Sequence, residues 1–340
     1  MNSGRSPDRI FAGIVCVEIG MILFSAQDAM MKVLLGDFTV WMLIAARGGI
    51  AVALLLPLIL ILGAPHRLKT PLWPVHVFRG FLFSVGFSCT YAAFPLLPLA
   101  KVMTIFFTAP LLITVFAVVF LGERIGLHRI AALLIGFIGI VVAINPTLDG
   151  FDWVVLLPLV TAVAYAFQQT LSRWLGNRET SMTLGLYSLA SAAVFILPLG
   201  YGVNLLVDTG AEFRHLRWDW WVPSLNEAGL LFILGANGMV AMLLLWRAYQ
   251  IAPAGVIAPF DYSYLVWAVL IGYFLFDEVP SINTVVGMVL IASSGLYLGF
   301  REMLQMKRNR SIGPTSEAVI LPSNTLPEPS PSAGVRDRNE

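Results

Sequence analysis

Ten long apolar runs constrain the fold of this sequence more than any other feature. A helix needs about 20 apolar residues to cross the hydrocarbon core of a bilayer. Backbone amides and carbonyls cannot stay unpaired in lipid, so runs of this kind cross as helices. We place the runs at residues 11–34, 39–62, 75–96, 99–120, 127–145, 152–173, 181–204, 228–249, 254–276 and 282–300. The sequence therefore predicts an all-α integral membrane protein with ten transmembrane helices.

Composition agrees with this class and narrows the function. The chain is 58% hydrophobic and 12% charged, whereas soluble domains are about half apolar and about a quarter charged. A net charge of +1 gives no reason to expect a nucleic-acid partner. Cys16 and Cys89 lie inside apolar runs without metal-ligand spacing, so we predict buried thiols, no metal and no cofactor. The first run is too long for a signal peptide and is expected to be retained.

An internal repeat divides the chain into two halves. A segment that begins at Tyr91 recurs from Trp246, 155 positions later, and the same shift places Glu123 on Glu278. A repeat at this distance indicates two similar halves rather than a short-period solenoid. Each half has five helices, and because five is odd the second half enters the membrane from the opposite side. We predict two inverted five-helix repeats, a common transporter plan with the substrate site at the junction.

Loop charge predicts the orientation of the chain. If the N-terminus is inside, most loop Lys and Arg residues gather on the cytoplasmic side, and the outside keeps Arg214, Arg217 and Lys101. This bias predicts that both termini are cytoplasmic. The tail is rich in Ser, Pro, Asn, Glu and Arg, so we expect it to be disordered. The predicted parts are a cytoplasmic N-terminus (1–9), a first repeat (10–145), a second repeat (152–300) and a cytoplasmic tail (301–340).

One long loop, residues 205–227, lies on the predicted outer side. It places Trp218, Trp220 and Trp221 among several charged residues. Tryptophan is enriched at the membrane–water interface, so we interpret the loop as part of an aromatic belt. A gate or lid is the alternative.

Ionisable side chains at membrane depth are costly to bury and mark candidate sites. Asp28 and Lys32 are four residues apart, which puts them on one face of the first helix. They form either a self-neutralising pair that faces other helices or a polar wall of the substrate cavity. Glu18 precedes Asp28 by ten residues, which turns it roughly 80° away at about 100° per residue. Glu18 is a candidate proton or cation site.

Arg47 lies about 12 Å into the second helix, at about 1.5 Å per residue, too deep to reach the interface easily. The short turn at Gly36 and Asp37 makes the first two helices antiparallel neighbours. A salt bridge with Asp28 is the simplest account of this position. The alternative is recognition of a substrate carboxylate by the planar guanidinium group.

Asp261 is the main charged feature of the second half. It follows Pro259, and proline frees a backbone carbonyl one turn back. Helices broken in this way at membrane depth usually line cavities. The counterpart of Asp261 in the first half is Phe106, so the charge is specific to one half. We predict that Asp261 is a cavity carboxylate, that Tyr262 and Tyr264 add hydroxyls, and that Glu18 or Asp261 couples transport to protons.

Aromatic and amide side chains accompany these charges. Packing or lipid contact explains any one aromatic residue, but as a set they suit a flat or cationic organic ligand. Tyr91 and Trp246 are the aromatic candidates for substrate binding, and Gln168 adds an amide. Gly295 and Gly299 are spaced for close helix contact and weakly indicate a homodimer.

The two halves resemble the paired EamA-type repeats of the drug/metabolite transporter superfamily, over roughly residues 10–300. In the first half the resemblance rests on Tyr91-Ala-Ala, Pro98-Leu-Ala, Pro110 and Leu121-Gly-Glu-Arg-Ile. In the second half it rests on Ala252-Pro-Ala-Gly, Asp277-Glu278 and the segment from Gly287 to Gly295. The second half departs from the family pattern at Asp277, where a glycine is usual, which puts that turn in doubt.

The resemblance implies a ten-helix inner-membrane carrier of small metabolites. The cavity of such carriers is lined by helices one, three, four, six, eight and nine, with helices five and ten peripheral. In this sequence the lining helices carry Asp28, Lys32, Tyr91, Gln168, Trp246 and Asp261. The string from Phe24 to Lys32 is similar to members that move S-adenosylmethionine or similar zwitterions.

We therefore predict a secondary transporter of a small zwitterionic or amino-acid-like metabolite, working by alternating access in the bacterial inner membrane. Riboflavin or an amphipathic cation is the alternative cargo. An enzyme is disfavoured because neither a His-Glu-x-x-His nor a Gly-x-Ser-x-Gly motif occurs, and a scaffold or channel is the remaining alternative. Import and export use the same fold, so the direction stays open.

Overall fold

The structure is a computed structural model that describes residues 7–62, 69–123, 126–145, 152–175, 179–206, 210, 213–252 and 254–311. Its regular elements in these ranges are helical, which confirms the predicted all-α class. The α-helices are α1 (Pro7–Leu34), α2 (Val40–Leu62), α3 (Trp73–Ala93), α4 (Leu99–Phe106), α5 (Ala109–Leu121), α6 (Leu127–Ile144), α7 (Leu156–Leu175), α8 (Ser181–Leu206), α9 (Leu225–Ile251), α10 (Ala254–Ile257), α11 (Ser263–Phe276) and α12 (Ile282–Ser311). Short 3₁₀ turns cover Trp153–Val155, Arg214–Leu216 and Ala258–Tyr262.

Two of the predicted membrane helices are interrupted, at equivalent places in the two halves. The fourth breaks between α4 and α5, shortly before Pro110. The ninth breaks between α10 and α11, in the 3₁₀ turn that contains Pro259. Proline cannot donate the helical backbone bond and crowds the preceding turn, which explains both breaks. The interruption therefore belongs to the repeat, as the proline before Asp261 predicts.

Nine helical segments in the described ranges are long and apolar enough to cross a membrane. The remaining predicted crossing is α3, which has 21 residues, among them the buried His76, Arg79, Ser84 and Ser88. These polar side chains lower its hydropathy, and α3 packs against α7 and α8. The ten predicted crossings are thus nine apolar helices and one helix with a polar, buried face.

The helices of the two halves pack across one another. α1 lies against α9 and α11, α3 lies against α7 and α8, and α4 contacts both α7 and α11. Large side chains that are fully buried in this region include Trp41, Tyr91, Phe94 and Leu99. By contrast, α6 and α12 contact chiefly each other. The main core therefore lies at the junction of the halves, with helices five and ten peripheral, as the resemblance implies.

Glycines bring α6 and α12 close together. A Cβ atom on Gly287 would lie 2.6 Å from the Ala143 Cβ and 2.7 Å from the Gly139 carbonyl oxygen. A Cβ atom on Gly295 would collide with the Tyr262 hydroxyl, and one on Gly299 has no neighbour within 4 Å. Contacts within one chain thus explain most of the small-residue pattern, and the homodimer stays a prediction.

We expect Gly287→Leu to force α6 and α12 apart and to lower the melting temperature of the detergent-solubilised protein. Overpacking costs about 1–3 kcal/mol, and the upper end applies because backbone atoms of α6 cannot move aside. Gly299→Leu is the matched control on the same helix, since its Cβ meets open space. Equal melting temperatures for the two variants, measured side by side, would contradict the packing argument.

The fourth and ninth helices end in the same turn. Gly122 has a φ of 69° and Asp277, its counterpart, a φ of 53°. In each case the next backbone N–H donates to a carbonyl of the helix that has just ended. Aspartate tolerates left-handed backbone better than most side chains because it is short and polar. The departure from the family pattern at Asp277 therefore leaves the turn intact.

α12 continues to Ser311, past the predicted end at residue 300. Residues 301–311 are mostly Arg, Lys, Met, Leu, Gln and Glu, which are good helix formers and extend the helix beyond its apolar part. The prediction that disorder begins at residue 301 is corrected to this extent. The rest of the predicted tail, 312–340, and residues 1–6 lie outside the described ranges.

Candidate functional site

Asp28 lies at the centre of a buried network that joins both halves. The residue is only 9% exposed. The Tyr264 hydroxyl donates to one carboxylate oxygen over 2.6 Å, and the Tyr91 hydroxyl lies 3.4 Å from the other. Because a buried carboxylate is costly without donors, these tyrosines hold it in place. The network connects α1 and α3 of the first half with α11 of the second.

Arg47 joins the Asp28 network through Tyr91. Its Nη1 group donates to the Tyr91 hydroxyl oxygen. The guanidinium carbon lies 5.3 Å from the Phe87 ring centre and 5.5 Å from that of Tyr91, within cation–π range. The direct Asp28–Arg47 salt bridge expected from the sequence is replaced by this relay, because the Tyr91 hydroxyl bonds to both groups.

Lys32 pairs with Glu278 instead of Asp28. Its ammonium group forms an ion pair with Glu278 Oε1 and donates to the Leu97 carbonyl oxygen over 2.9 Å. The other Glu278 oxygen accepts the Leu99 N–H at the start of α4, over 2.8 Å. The self-neutralising Asp28–Lys32 pair is therefore not formed, because Lys32 points to the end of the bundle where α4 begins and α11 ends. The repeated glutamate was visible in the sequence, but its partner was not.

Asp261 forms a second polar cluster, at the break between α10 and α11. Its Oδ2 accepts the Tyr249 hydroxyl over 2.7 Å. Its Oδ1 is buried and has no hydrogen-bond partner among the described residues. Asp261 lies in the 3₁₀ turn Ala258–Tyr262, which contacts α1, the helix that carries Glu18. The structure thus places the two proton-coupling candidates on contacting elements and leaves one oxygen of Asp261 available to a proton or ligand.

Three predicted substrate-binding residues lie away from the Asp28 network. Gln168 donates to the Arg79 carbonyl oxygen over 3.3 Å, at the interface of α3 with α7. Trp246 packs beside the small cluster of Leu55, Ile59 and Leu186. Tyr262 stacks near Phe107, with ring centres 5.5 Å apart, and its hydroxyl is buried without a partner in the described ranges.

A single step along α7 explains the position of Gln168. Neighbouring residues on a helix point about 100° apart. Gln169, the next residue, donates to the Tyr165 hydroxyl over 3.1 Å, and the Tyr165 ring packs against Phe106 of α4.

Tyr264, predicted as a hydroxyl beside Asp261, donates to Asp28 instead. Tyr249, which donates to Asp261, is not among the predicted substrate-binding residues. Its signal in the sequence is an aromatic residue in a lining helix.

A third buried polar group lies at the start of α3. Arg79 is buried in the second turn of α3 and donates to the Gln168 carbonyl oxygen over 3.4 Å. His76 is fully buried, with its Nε2 atom 3.7 Å from Glu179 Oε1. Both residues are buried because α3 packs against α7 and α8.

Residues 213–224, which we call the cover segment, fold over the α1–α2 turn. The Trp41 indole donates to the Leu216 carbonyl oxygen over 2.9 Å, and Phe38 stacks on Trp221 at 5.3 Å between ring centres. A cavity of about 350 Å³ lies beneath, lined by residues of the turn and by Arg214, His215, Asp219 and Trp221. The segment is packed over the turn, and the aromatic-belt and lid interpretations both stay predictions.

Acidification is expected to loosen the cover segment. His215 is buried, with Nε2 3.0 Å from the Ala92 carbonyl oxygen. Burial lowers the pKa of His215 below its ordinary value of 6.5, and the bond to Ala92 opposes this only in part. Because the folded pKa is below the unfolded one, the folded segment binds fewer protons. Its stability is therefore complete above about pH 6.5 and declines as the pH falls through that value.

Hydrogen–deuterium exchange of the 213–221 peptide measures this effect. After correction for intrinsic rates, exchange should be faster at about pH 5.5 than at about pH 7.5. His215→Gln keeps a donor for the Ala92 carbonyl but does not titrate, so it should abolish the difference. Equal protection of the unmodified segment at both pH values would show that His215 does not control it.

The chain has two inverted repeats, and charged side chains are buried at their junction beside helices that break at membrane depth. This is the architecture of a secondary transporter. The EamA-like transporter family model matches residues 11–145 and 152–299. The chain belongs to the EamA-like transporter family, which confirms the resemblance. It is a multi-pass membrane protein.

Similar proteins in bacteria are transporters with different cargoes. An S-adenosylmethionine uptake transporter of Rickettsia bellii (strain RML369-C) is 28% identical over 296 residues, covering 87% of this chain and 96% of that protein. A riboflavin transporter of Vibrio cholerae serotype O1 is 30% identical over 268 residues, 77% of this chain and 84% of its own. A pseudopaline exporter of Pseudomonas aeruginosa is 25% identical over 286 residues, 84% and 94% of the two chains.

A solved crystal structure shares the fold. It aligns with 87% of this chain and 98% of its own, with a TM-score of 0.57 and 22% sequence identity. At this identity the match supports the architecture of the helices and carries no argument about the cargo.

Proposed function

We propose that this protein carries a zwitterionic metabolite of the S-adenosylmethionine or amino-acid class across the bacterial inner membrane by alternating access. The observation that carries the proposal is the buried network of Asp28, Tyr91 and Arg47. It places an acid and a base within one hydrogen-bond relay at the junction of the two halves. A zwitterion presents the complementary pair of charges.

Each end of the relay suits one end of such a ligand. Arg47 has a planar fork that binds carboxylates in two parallel bonds. Asp28 offers a negative partner for an ammonium or sulfonium group, and the rings of Phe87 and Tyr91 add cation–π attraction. In this proposal substrate replaces Tyr91 as the bridge between the two charges. The names of the Rickettsia relatives, which match almost their whole length, support the same class of cargo.

Riboflavin is the second candidate. The riboflavin transporters among the relatives support it, and the aromatic rings around Asp261 would suit a flat ligand. Phe106 and Tyr165 lie 5.4 Å apart between ring centres, and Phe107 lies 5.5 Å from Tyr262. Stacking between such rings binds a flat heterocycle without a charge.

The remaining assignments belong to the same proposal. Both termini are cytoplasmic, the small-molecule cargo and the lipid bilayer are the partners, and nucleic acid is not one. The protein acts as a carrier and not as an enzyme, a homodimer is compatible with it, and the two halves divide at residues 145 and 152. Lys32 acts through its ion pair with Glu278. The packing contacts described above are the contribution of Gln168, Trp246 and Tyr262. The coupling proton is taken up by Glu18 or Asp261.

Transport by purified protein in proteoliposomes tests the proposal. The cargo panel is S-adenosylmethionine, amino acids, riboflavin and an aromatic cation, each with and without a proton gradient. We expect saturable uptake of one zwitterion, and loss of that uptake in Arg47→Gln but not in Arg247→Gln, whose side chain is exposed. Saturable uptake of riboflavin alone would favour the second candidate. No movement of any compound by folded protein would overturn the carrier proposal.

A further inference from the structure

Two ion pairs in this structure are related by the internal repeat. The family match starts at residue 11 in the first half and at residue 152 in the second, a shift of 152 − 11 = 141. This shift places Gln27 on Gln168 and Lys32 on Arg173. The later shift of 155 places Glu123 on Glu278. The pair Lys32–Glu278 therefore has an exact counterpart in sequence, Arg173–Glu123, and the structure forms both.

The two pairs are at opposite ends of the bundle. Lys32 and Arg173 are each near the last turn of the first helix of a half, α1 and α7. Because the halves are inverted, these two helix ends lie on opposite faces of the membrane. In each pair the basic residue of one half binds the glutamate of the other half. Each pair therefore ties the two halves together at one face.

The pair at the Lys32 face is tightly engaged. The side chains of Lys32 and Glu278 are 12% and 18% exposed. Lys32 also donates to the Leu97 carbonyl oxygen, and Glu278 also accepts the Leu99 N–H, so the pair binds the start of α4. A charged pair with these extra bonds holds α1, α4 and α11 together at this face.

The pair at the Arg173 face is loosely engaged. Arg173 Nη2 lies 2.6 Å from Glu123 Oε1, but the side chains are 46% and 36% exposed. Exposed ion pairs are screened by water and contribute little to stability. The same ion pair is thus present twice, mostly buried at the Lys32 face and exposed at the Arg173 face.

We propose that Lys32–Glu278 and Arg173–Glu123 are alternating gates, so that the engagement of one accompanies the loosening of the other. Inverted repeats reach their second state when the two halves exchange conformations. In that state Glu123 is buried at its own face in the way that Glu278 is buried here. Arg173 is then engaged as Lys32 is engaged here. The inference rests on the proposed carrier function but not on the identity of the cargo.

Labelling of a reporter cysteine from each face tests the gates without any substrate. The reporter is Gln169→Cys, half-buried beside Tyr165, whose ring packs against Phe106 of the other half, in a chain whose Cys16 and Cys89 are replaced by serine. A membrane-impermeant maleimide is applied to one face at a time in vesicles of known orientation. The gates predict labelling mainly from the Arg173 face in the starting protein.

Breaking each gate should raise labelling from the face on which that gate lies. Lys32→Gln or Glu278→Gln should raise labelling from the Lys32 face about tenfold, because one charge of a mostly buried pair is left unpaired. Glu123→Gln should raise labelling only from the Arg173 face, by about twofold, because that pair is exposed. Glu227→Gln, the same chemical change at the N-terminal cap of α9 and outside both pairs, should leave both rates unchanged.

Two variants are used at the Lys32 face so that the test still stands if one of them misfolds. Each breaks the ion pair by changing a different partner, and Lys32→Gln keeps the hydrogen bond between the Leu99 N–H and Glu278. Monodisperse elution in detergent identifies the folded variants, and Glu123→Gln tests the other gate independently. Unchanged labelling from the Lys32 face in a folded variant, or the same change from both gates, would overturn the proposal. Failure of transport with a correct labelling pattern would instead count against the cargo proposal alone.

Discussion

Asp28→Asn should lower substrate uptake on the order of 100-fold, because it removes the only negative charge of a buried network that retains Arg47. Asparagine has nearly the same shape, so the helices that meet at Asp28 should stay packed. The two tyrosine hydroxyls would face an amide in place of the carboxylate. Arg47 would lose the negative charge to which the Tyr91 hydroxyl connects it. A cationic group of the substrate would lose its partner at the same time.

The measurement is initial uptake into proteoliposomes at substrate concentrations well below saturation, normalised to the amount of folded protein. Asp37→Asn is the matched control, because Asp37 lies exposed in the α1–α2 turn. Tyr264→Phe removes one hydrogen bond and keeps the charge, so we expect a smaller loss, on the order of tenfold. Uptake by Asp28→Asn within a factor of about two of the control would exclude Asp28 from the site.

Asp261→Asn should abolish the response of transport to a proton gradient. Asp261 lies in the turn that contacts α1, the helix that carries Glu18. Its Oδ1 is buried, has no partner within the described ranges and can carry the coupling proton. An amide cannot release a proton, so the ratio of uptake with and without a gradient should fall to about one.

Exchange of labelled for unlabelled substrate separates coupling from binding in this variant. Exchange should persist in Asp261→Asn, because the Asp28 network is untouched. Asp277→Asn makes the same chemical change at an exposed residue of the turn after α11, and asparagine also tolerates the left-handed backbone found there. If Asp261→Asn kept both its uptake and its pH dependence, the coupling role would be lost.

We expect three polar sites to have different roles in the carrier: the Asp28 network, the Asp261 cluster and the Lys32–Glu278 pair. All three lie where helices of the two halves meet, since the turn that holds Asp261 contacts α1, so each must change when the halves move. Asp28 is held by tyrosines that a ligand can replace. Lys32 is held by a charge and by backbone groups, which suits a contact that closes one face. We expect substitutions at the first to change affinity and substitutions at the second to change access.

The division between what sequence predicts and what it misses is clear for Lys32 and Arg47. Both were recognised as charges at membrane depth that need partners. The predicted partner of each was the nearest acidic residue along the chain or across the first turn. In the structure Lys32 binds Glu278 and Arg47 binds Tyr91. Local spacing puts residues on a common face, but it does not say which other helix meets that face.

The sequence by itself determined the membrane class, the two inverted repeats, the proline breaks and the family. These features depend on local or repeated patterns: a run of apolar residues, the period of a repeat, a proline without a backbone donor. Each can be recognised without knowing how the helices turn against one another.

Only the tertiary structure decided which charges meet. Gln168 and Gln169 show the reason, since one residue along a helix turns a side chain by about 100° and moves it to another interface. The long side chains of Lys32 and Arg47 can also reach several neighbours, and the cost of burying a charge selects the neighbour that supplies bonds. That choice depends on the packing of all ten crossings at once.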